Sequence, residues 1–277
     1  VLPTRRITMG SLFSGIAGLE LGLAAAFEEA GFEVEIKWQV EQDPDCRAVL
    51  QKHYPTVDRS ITDVRIASRA NLVRVGLICG GFPCQDVSGA GKGAGLAGAR
   101  SGLWFEFLRI VSELHPPLVI VENVASGAKR WLCRVRADLH ALGYRTRAIA
   151  LSAFDVGSPQ LRRRVFIIAT HPQRLQLRQQ QGWRGGEEGQ GAPELADDGA
   201  QRSASDAHGQ GQLQPQRVLP DEWRWSRDGG GWTIEPPVYG VAYGVPRGVD
   251  RNRALGNAVM PQQALVIGRI VREMIDV

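Results

Sequence analysis

The chain has 277 residues, 43% of them hydrophobic, and a formal net charge of +4, the balance of a soluble globular protein with one large core and a smaller appendage. No apolar run is long enough for a bilayer span and the N-terminus carries no signal-peptide stretch, so membrane attachment is excluded from the reading. Cys46, Cys79, Cys84 and Cys133 lack CxxC spacing, which argues against a zinc site or a disulfide framework and for a reducing, cytoplasmic setting with free thiols and no metal.

From Ile7 to Thr170, short β-like runs alternate with helical stretches. Strands are predicted at Ile7–Phe13, Val34–Val40, Val75–Cys79, Leu118–Val121, Arg145–Leu151 and Val165–Ala169, with helices near Leu19–Ala30, Pro44–His53, Gly102–Leu114 and Lys129–Leu142. The alternation predicts βαβ units and an α/β domain built on a mostly parallel, doubly wound sheet.

Between His171 and Arg217, Gln, Gly and Arg dominate and apolar periodicity is lost, which reads as a loop or disordered insert. Residues His171–Asp250 hold 8 Arg against 11 Asp and Glu, a net of −3, so the rest of the chain carries +7. The basic surface is thus expected on the α/β part. Only Lys37, Lys52, Lys92 and Lys129 are lysines; the other basic residues are arginines, whose planar fork suits phosphate and base-edge contacts. Trp223, Arg224, Trp225 and Trp232 predict a small packed lobe. A closing helix is predicted over Pro261–Ile275, where a leading proline precedes apolar residues on one face.

Gly80-Gly81-Phe82-Pro83-Cys84-Gln85 follows a predicted strand and reads as a tight Gly/Pro turn that presents the Cys84 thiol. Ser11–Gly18 joins the first strand to the first helix through small residues, a turn that lets a ligand approach the backbone, although it departs from GxGxxG. Glu41 follows the second strand, where a carboxylate can take ribose hydroxyls. Glu122-Asn123-Val124 ends a buried strand at the same sheet edge as Cys84; a buried glutamate there can stay partly protonated and act as an acid toward a heteroaromatic nitrogen. In Gln160-Leu161-Arg162-Arg163-Arg164, alternation sends Arg162 and Arg164 to one side, where two guanidinium groups could hold a phosphate or an exocyclic oxygen. The glycine-rich stretch Asp86–Arg100, with Lys92 and Arg100, reads as a lid over a substrate.

Taken together, Phe13-Ser14-Gly15, Pro83-Cys84-Gln85, Glu122-Asn123-Val124, Gln160-Leu161-Arg162-Arg163-Arg164 and Gly256-Asn257-Ala258-Val259 resemble, in order and spacing, the motifs of the DNA (cytosine-5)-methyltransferase family. The resemblance covers Ile7–Thr170 and Asp250–Ile275 and implies a Rossmann-like S-adenosylmethionine-dependent fold. It also implies a catalytic and cofactor-binding domain over 1–170, a short and partly irregular target-recognition region over 171–250 with 171–217 flexible, and a C-terminal segment 251–277 that returns to the first domain.

By that resemblance Cys84 is the nucleophile toward C6 of a flipped cytosine in double-stranded DNA, Glu122 engages N3, and Arg162 and Arg164 brace the site. The cofactor set is Phe13, Gly15, Gly18, Glu41, Ser60, Ile61, Pro83, Leu103, Asn257 and Ala258. Ser60 stands where the family commonly has an aspartate, which leaves Ser60 or Asp63 to meet the adenine. Gln85, Ser88, Lys92 and Arg100 are the DNA-contact candidates. The resemblance further implies a monomeric bacterial or phage enzyme of DNA methylation, solitary or paired functionally with a restriction endonuclease. The rival readings are a transfer-RNA (cytosine-5)-methyltransferase and a catalytically weak DNA-binding protein.

Overall fold

The computed structural model describes residues 5–83, 102–180 and 258–275. Its centre is one six-stranded sheet of β1 (Arg5–Leu12), β2 (Phe32–Val40), β3 (Leu77–Gly81), β4 (Leu118–Val124), β5 (Arg145–Leu151) and β6 (Arg164–Thr170), in the order β2-β1-β3-β4-β6-β5. β1 pairs in parallel with β2 and β3, and β3 with β4, whereas β6 runs antiparallel to both β4 and β5. The sheet is therefore mostly parallel with one reversed strand, as the alternation of elements predicts.

β4 reads as a continuous apolar run because both of its faces are covered. Leu118 and Ile120 enter one buried cluster with Leu23 and Phe27 of α1 (Gly18–Glu28) and Ile267 and Val271 of α6 (Pro261–Ile275). Val119 and Val121 enter the other, with Trp104 and Phe107 of α3 (Leu103–Leu114) and Trp131 and Val135 of α4 (Ala128–Ala141). Trp104 stacks on Phe107 at 5.6 Å between centroids, and its indole N–H donates to Asp138 Oδ2 at 2.9 Å, tying α3 to α4. α2 (Pro44–His53) starts on Pro44, with the Asp43 side chain accepting from the amides of Asp45 and Cys46.

Two sequence expectations are corrected. Gly80 and Gly81 are not a turn: they are the last residues of β3, in register with Val121 and Glu122. They are glycines for space, since a Cβ on Gly80 would lie 2.2 Å from the Leu12 carbonyl. Within the expected irregular insert, Pro172–Gln180 is a helix, α5, whose Leu175 packs against the α1 and α6 cluster and whose Gln179 Nε2 donates to the Ile275 carbonyl at 2.7 Å. Its polar composition hid it, because its ordering comes from contacts made by these few residues. Residues 181–257, with the expected aromatic lobe, lie outside the described residues.

After β2 the chain returns to the opposite side of β1 to form β3, so the strand order reverses between β1 and β3. In open α/β sheets the crevice beyond the carboxyl ends of the strands at such a switch point is where ligands bind.

Candidate active site

β1 delivers the chain into Phe13 and then to Ala17, both with left-handed backbones at φ 56° and 66°. A non-glycine residue there costs roughly 1 kcal/mol, so the turn is held by other contacts. The amide of Ser14 donates to the Val40 carbonyl at 3.3 Å, and that of Ala17 to the Ser14 carbonyl at 2.9 Å. The Glu41 carboxylate, at the end of β2, accepts from the amide of Gly15 at 2.7 Å and from that of Asp43 at 2.8 Å. Glu41 thus braces the turn from behind. Gly18 opens α1 where a Cβ would lie 2.1 Å from the Val259 carbonyl, which lets the start of α1 abut the segment that leads into α6.

A cleft lies at this switch point, walled by Phe13, Gly15 and Gly18 of the turn, by Gly80 and Gly81 of β3, and by Glu122 of β4. Ala258 and Val259 close it, and Ser11, Ser14 and Glu20 complete one side.

Glu122 is 7% exposed, and Arg164, opposite it at the start of β6, places Nε 2.8 Å from its Oε1. Burial pushes the Glu122 carboxyl up to about 7, while Arg164 and then Arg162 pull the other way. The group therefore exchanges its proton near neutrality. Gly81, paired with Glu122, leaves it room: a Cβ there would lie 2.4 Å from Oε2. Asn123 Nδ2 donates to the Phe82 carbonyl at 3.1 Å, fixing the end of β4 against the segment that enters Pro83. Arg162 donates through Nη2 to the Ala258 carbonyl. The two arginines share the inner side and Arg163 is exposed; Arg164 reaches Glu122 and the Arg163 carbonyl, and Arg162 reaches the Ala258 carbonyl.

Of the residues singled out in the sequence, Phe13, Gly15, Gly18, Glu122 and Ala258 meet at this cleft, with Arg164 and Arg162 immediately behind Glu122 and Ala258. Glu41, Ser60, Ile61, Pro83 and Leu103 are not among its walls: Ile61 and Leu103 pack on the α3 and α4 cluster, and Ser60 is exposed. Asp63 is occupied by Arg65, with Oδ2 2.6 Å from Nη2. Cys84, Gln85, Ser88, Lys92, Arg100 and Asn257 lie outside the described residues. Sequence reasoning missed Glu20, which is 1% exposed on the buried face of α1. Its place in the same helical face as Leu23 and Phe27 was the available signal.

A mostly parallel α/β sheet with a cleft at its switch point and a buried acid at the neighbouring strand end is a Rossmann-like arrangement, the fold of S-adenosylmethionine-dependent methyltransferases. The chain belongs to the C-5 cytosine-specific DNA methylase family, whose model matches residues 7–195.

Among curated relatives, type II methyltransferase M.AquIA of Picosynechococcus sp. is 34% identical over 179 residues, covering 57% of this chain and 69% of the relative. Type II methyltransferase M2.BsuMI of Bacillus subtilis is 35% identical over 170 residues, covering 58% of this chain and 41% of the relative. Among solved structures, one described as a DNA modification methyltransferase encoded within an E. coli prophage matches with a TM-score of 0.50 at 26% identity, over 60% of this chain and 47% of that one. The chain thus spans less than half the length of the second relative and of this structure. Among the described residues, no helix is long and apolar enough to cross a membrane and no cluster of His, Cys, Asp and Glu could hold a metal ion.

Proposed function

We propose that the chain is a DNA (cytosine-5)-methyltransferase that moves a methyl group from S-adenosylmethionine to C5 of a cytosine flipped out of duplex DNA. It would act as a cytoplasmic monomer in DNA methylation or in a restriction–modification system, with a cognate endonuclease as functional counterpart. The observation that carries this reading is Glu122: a buried carboxyl that exchanges a proton near pH 7, faces a ligand cleft and is held by Arg164, on a strand paired with the one that leads to Pro83-Cys84.

The Cys84 sulfur adds to C6 of the cytosine while Glu122 gives its proton or a hydrogen bond to N3, so electron density gathers at C5. Arg164 keeps the carboxyl oriented and stabilises the carboxylate left behind. S-adenosylmethionine supplies the methyl group that C5 takes up. Loss of the C5 proton to solvent then expels the sulfur as the free thiolate, and N3 returns to Glu122 any proton it received, restoring both the ring and the acid. Flipping costs a few kcal/mol, offset by the contacts the displaced base gains.

The residues that line the cleft suit this cofactor. Gly15 and Gly18 let a ligand approach the turn at the N-terminus of α1, Gly80 and Gly81 of β3 leave the facing wall without side chains, and Ala258 closes the cleft. Phe13, Glu41, Ser60, Ile61, Pro83, Leu103 and Asn257 complete the proposed cofactor set, with Glu41 acting through the Gly15 amide. Gln85, Ser88, Lys92 and Arg100 are the proposed DNA contacts.

The test is trapping on duplex DNA that carries 5-fluorocytosine, whose C5 fluorine cannot leave as a proton. A denaturation-resistant complex that requires S-adenosylmethionine and disappears in Cys84→Ser is expected, with duplex DNA competing better than transfer RNA. A wild-type protein that binds the cofactor yet forms no such complex would overturn the reading.

A further inference from the structure

Glu20 is the one acid in the cleft wall that the proposed chemistry does not use. It sits two residues into α1, 1% exposed, and neither carboxyl oxygen meets a charged partner or a donor in full hydrogen-bond geometry, although Ser11, Gln39 and Ser14 lie near enough to favour its ionised form. A buried carboxyl without a partner costs several kcal/mol, and such a group in a ligand cleft points to something the ligand brings.

Its surroundings are polar and uncharged. Ser11 of β1 and Ser14 of the turn join through a hydroxyl hydrogen bond of 2.9 Å, and Gln39 of β2 leaves its Nε2 without a partner while its Oε1 accepts from Arg59 at 2.9 Å. The titratable groups that feel Glu20 are Cys79 of β3 and Tyr54 after α2; Glu122 of β4 shares the cleft wall. Among the described residues, no lysine or arginine pairs with Glu20. The cation is missing from the chain's own side of the site.

We propose that Glu20 is a further cofactor-binding residue, the carboxyl that receives the ammonium group of the methionine moiety of S-adenosylmethionine. This rests on the methyltransferase reading and deepens it. Burial pushes the Glu20 carboxyl up to about 7, against the weaker opposing influence of Ser11, Gln39 and Ser14, so below neutrality it is neutral in the free protein. When the ammonium arrives, the neutral carboxyl ionises: its O–H bond breaks, the carboxylate pairs with the cation, and the proton passes to solvent. Cofactor binding below pH 7 therefore releases up to one proton. A carboxyl that is neutral when empty avoids the cost of a bare buried charge and becomes a charged partner only when one is available.

The experiment is calorimetric titration of the intact protein with S-adenosylhomocysteine, which keeps the amino acid end, and with 5′-methylthioadenosine, which lacks it. Titrations at about pH 6 in two buffers of different ionisation enthalpy count the protons released. The wild type should release a proton to the first ligand and none to the second, and the release should persist in Glu122→Gln. Glu20→Gln, nearly isosteric, should abolish the release, weaken S-adenosylhomocysteine by about tenfold and leave 5′-methylthioadenosine unchanged.

Proton release by the wild type is read without any variant, so a misfolded Glu20→Gln would not remove the test. Equal weakening of both ligands, or wild-type binding of S-adenosylhomocysteine with no proton release at about pH 6, would overturn the assignment while leaving the methyltransferase reading intact. Failure of the wild type to bind either ligand would overturn both.

Discussion

The guanidinium of Arg164 and the carboxylate of Glu122 meet at 2.8 Å across the β4–β6 pairing, with side chains 12% and 9% exposed. The register sets this contact: Glu122 is level with Phe166, so Arg164, two residues earlier on β6, points to the same face. Arg164 is the leading influence holding the Glu122 carboxyl down against burial.

Arg164→Gln should therefore let the Glu122 carboxyl rise above its value near 7. The carboxyl stays neutral to higher pH, so the high-pH limb of the single-turnover rate should move upward, while the rate on the plateau falls by about tenfold or more because the acid is no longer aimed. Below neutrality the stability loss should be small, since a neutral carboxyl replaces a broken ion pair; above it the loss should grow. Single-turnover pH profiles and melts at two pH values check both. A high-pH limb that moves downward would be the wrong sign.

How much of this was legible in the sequence depends on what kind of contact makes each element. β4 and β6 showed as continuous apolar runs because Leu118–Val121 and Val165–Ala169 are buried on both faces. α6 matches its predicted bounds because Pro261 and the helical repeat mark it locally. α5 did not show, since Leu175 and Gln179 meet α1 and α6 residues that are distant in sequence. Gly80 and Gly81 read as a turn because glycine signals freedom and lack of bulk alike, and only the neighbouring strand shows that lack of bulk is the reason. Glu122 was found from its strand end, whereas Glu20 was not, because its burial depends on packing under Ser11 and Gln39 from two other strands.

Gly81→Ala tests the lack of bulk directly. The added Cβ would lie 2.4 Å from Glu122 Oε2, which Arg164 and the β4 backbone prevent from yielding freely. The variant should fold, lose about 1–3 kcal/mol, and lose most of its methyl transfer because Glu122 is displaced. Gly76→Ala is the control: its nearest neighbour would be the Thr8 carbonyl at 3.5 Å, an ordinary contact, so activity should be kept. Thermal melts and labelled methyl transfer read the pair.

Glu20 and Glu122 are both raised from 4.5 to about 7, so each favours folding when protonated. Their contribution is fully present below about pH 4.5 and is lost as pH rises through about 7, with an order of magnitude of 3 kcal/mol per carboxyl. The free protein should therefore melt several degrees lower at about pH 8 than at about pH 6, and Glu20→Gln should flatten that slope by roughly half. A melting temperature that rises across this interval would refute the assignment of the two carboxyls.

Arg59 connects the cofactor side of the sheet to the loop after α2. It is 7% exposed and donates to Gln39 Oε1 at 2.9 Å, to Gln51 Oε1 at 2.8 Å and to the Tyr54 carbonyl at 2.8 Å. Arg59→Met keeps much of the length and removes all three donors, leaving acceptors unfilled at a cost of about 2–4 kcal/mol. The urea midpoint should fall with an unchanged slope. Gln39 also flanks Glu20, and without Arg59 its amide is free to reorient, so the affinity for S-adenosylhomocysteine should fall in the folded variant as well. A folded Arg59→Met with full affinity would mean that Gln39 holds its place without Arg59, and that the arginine serves the loop alone.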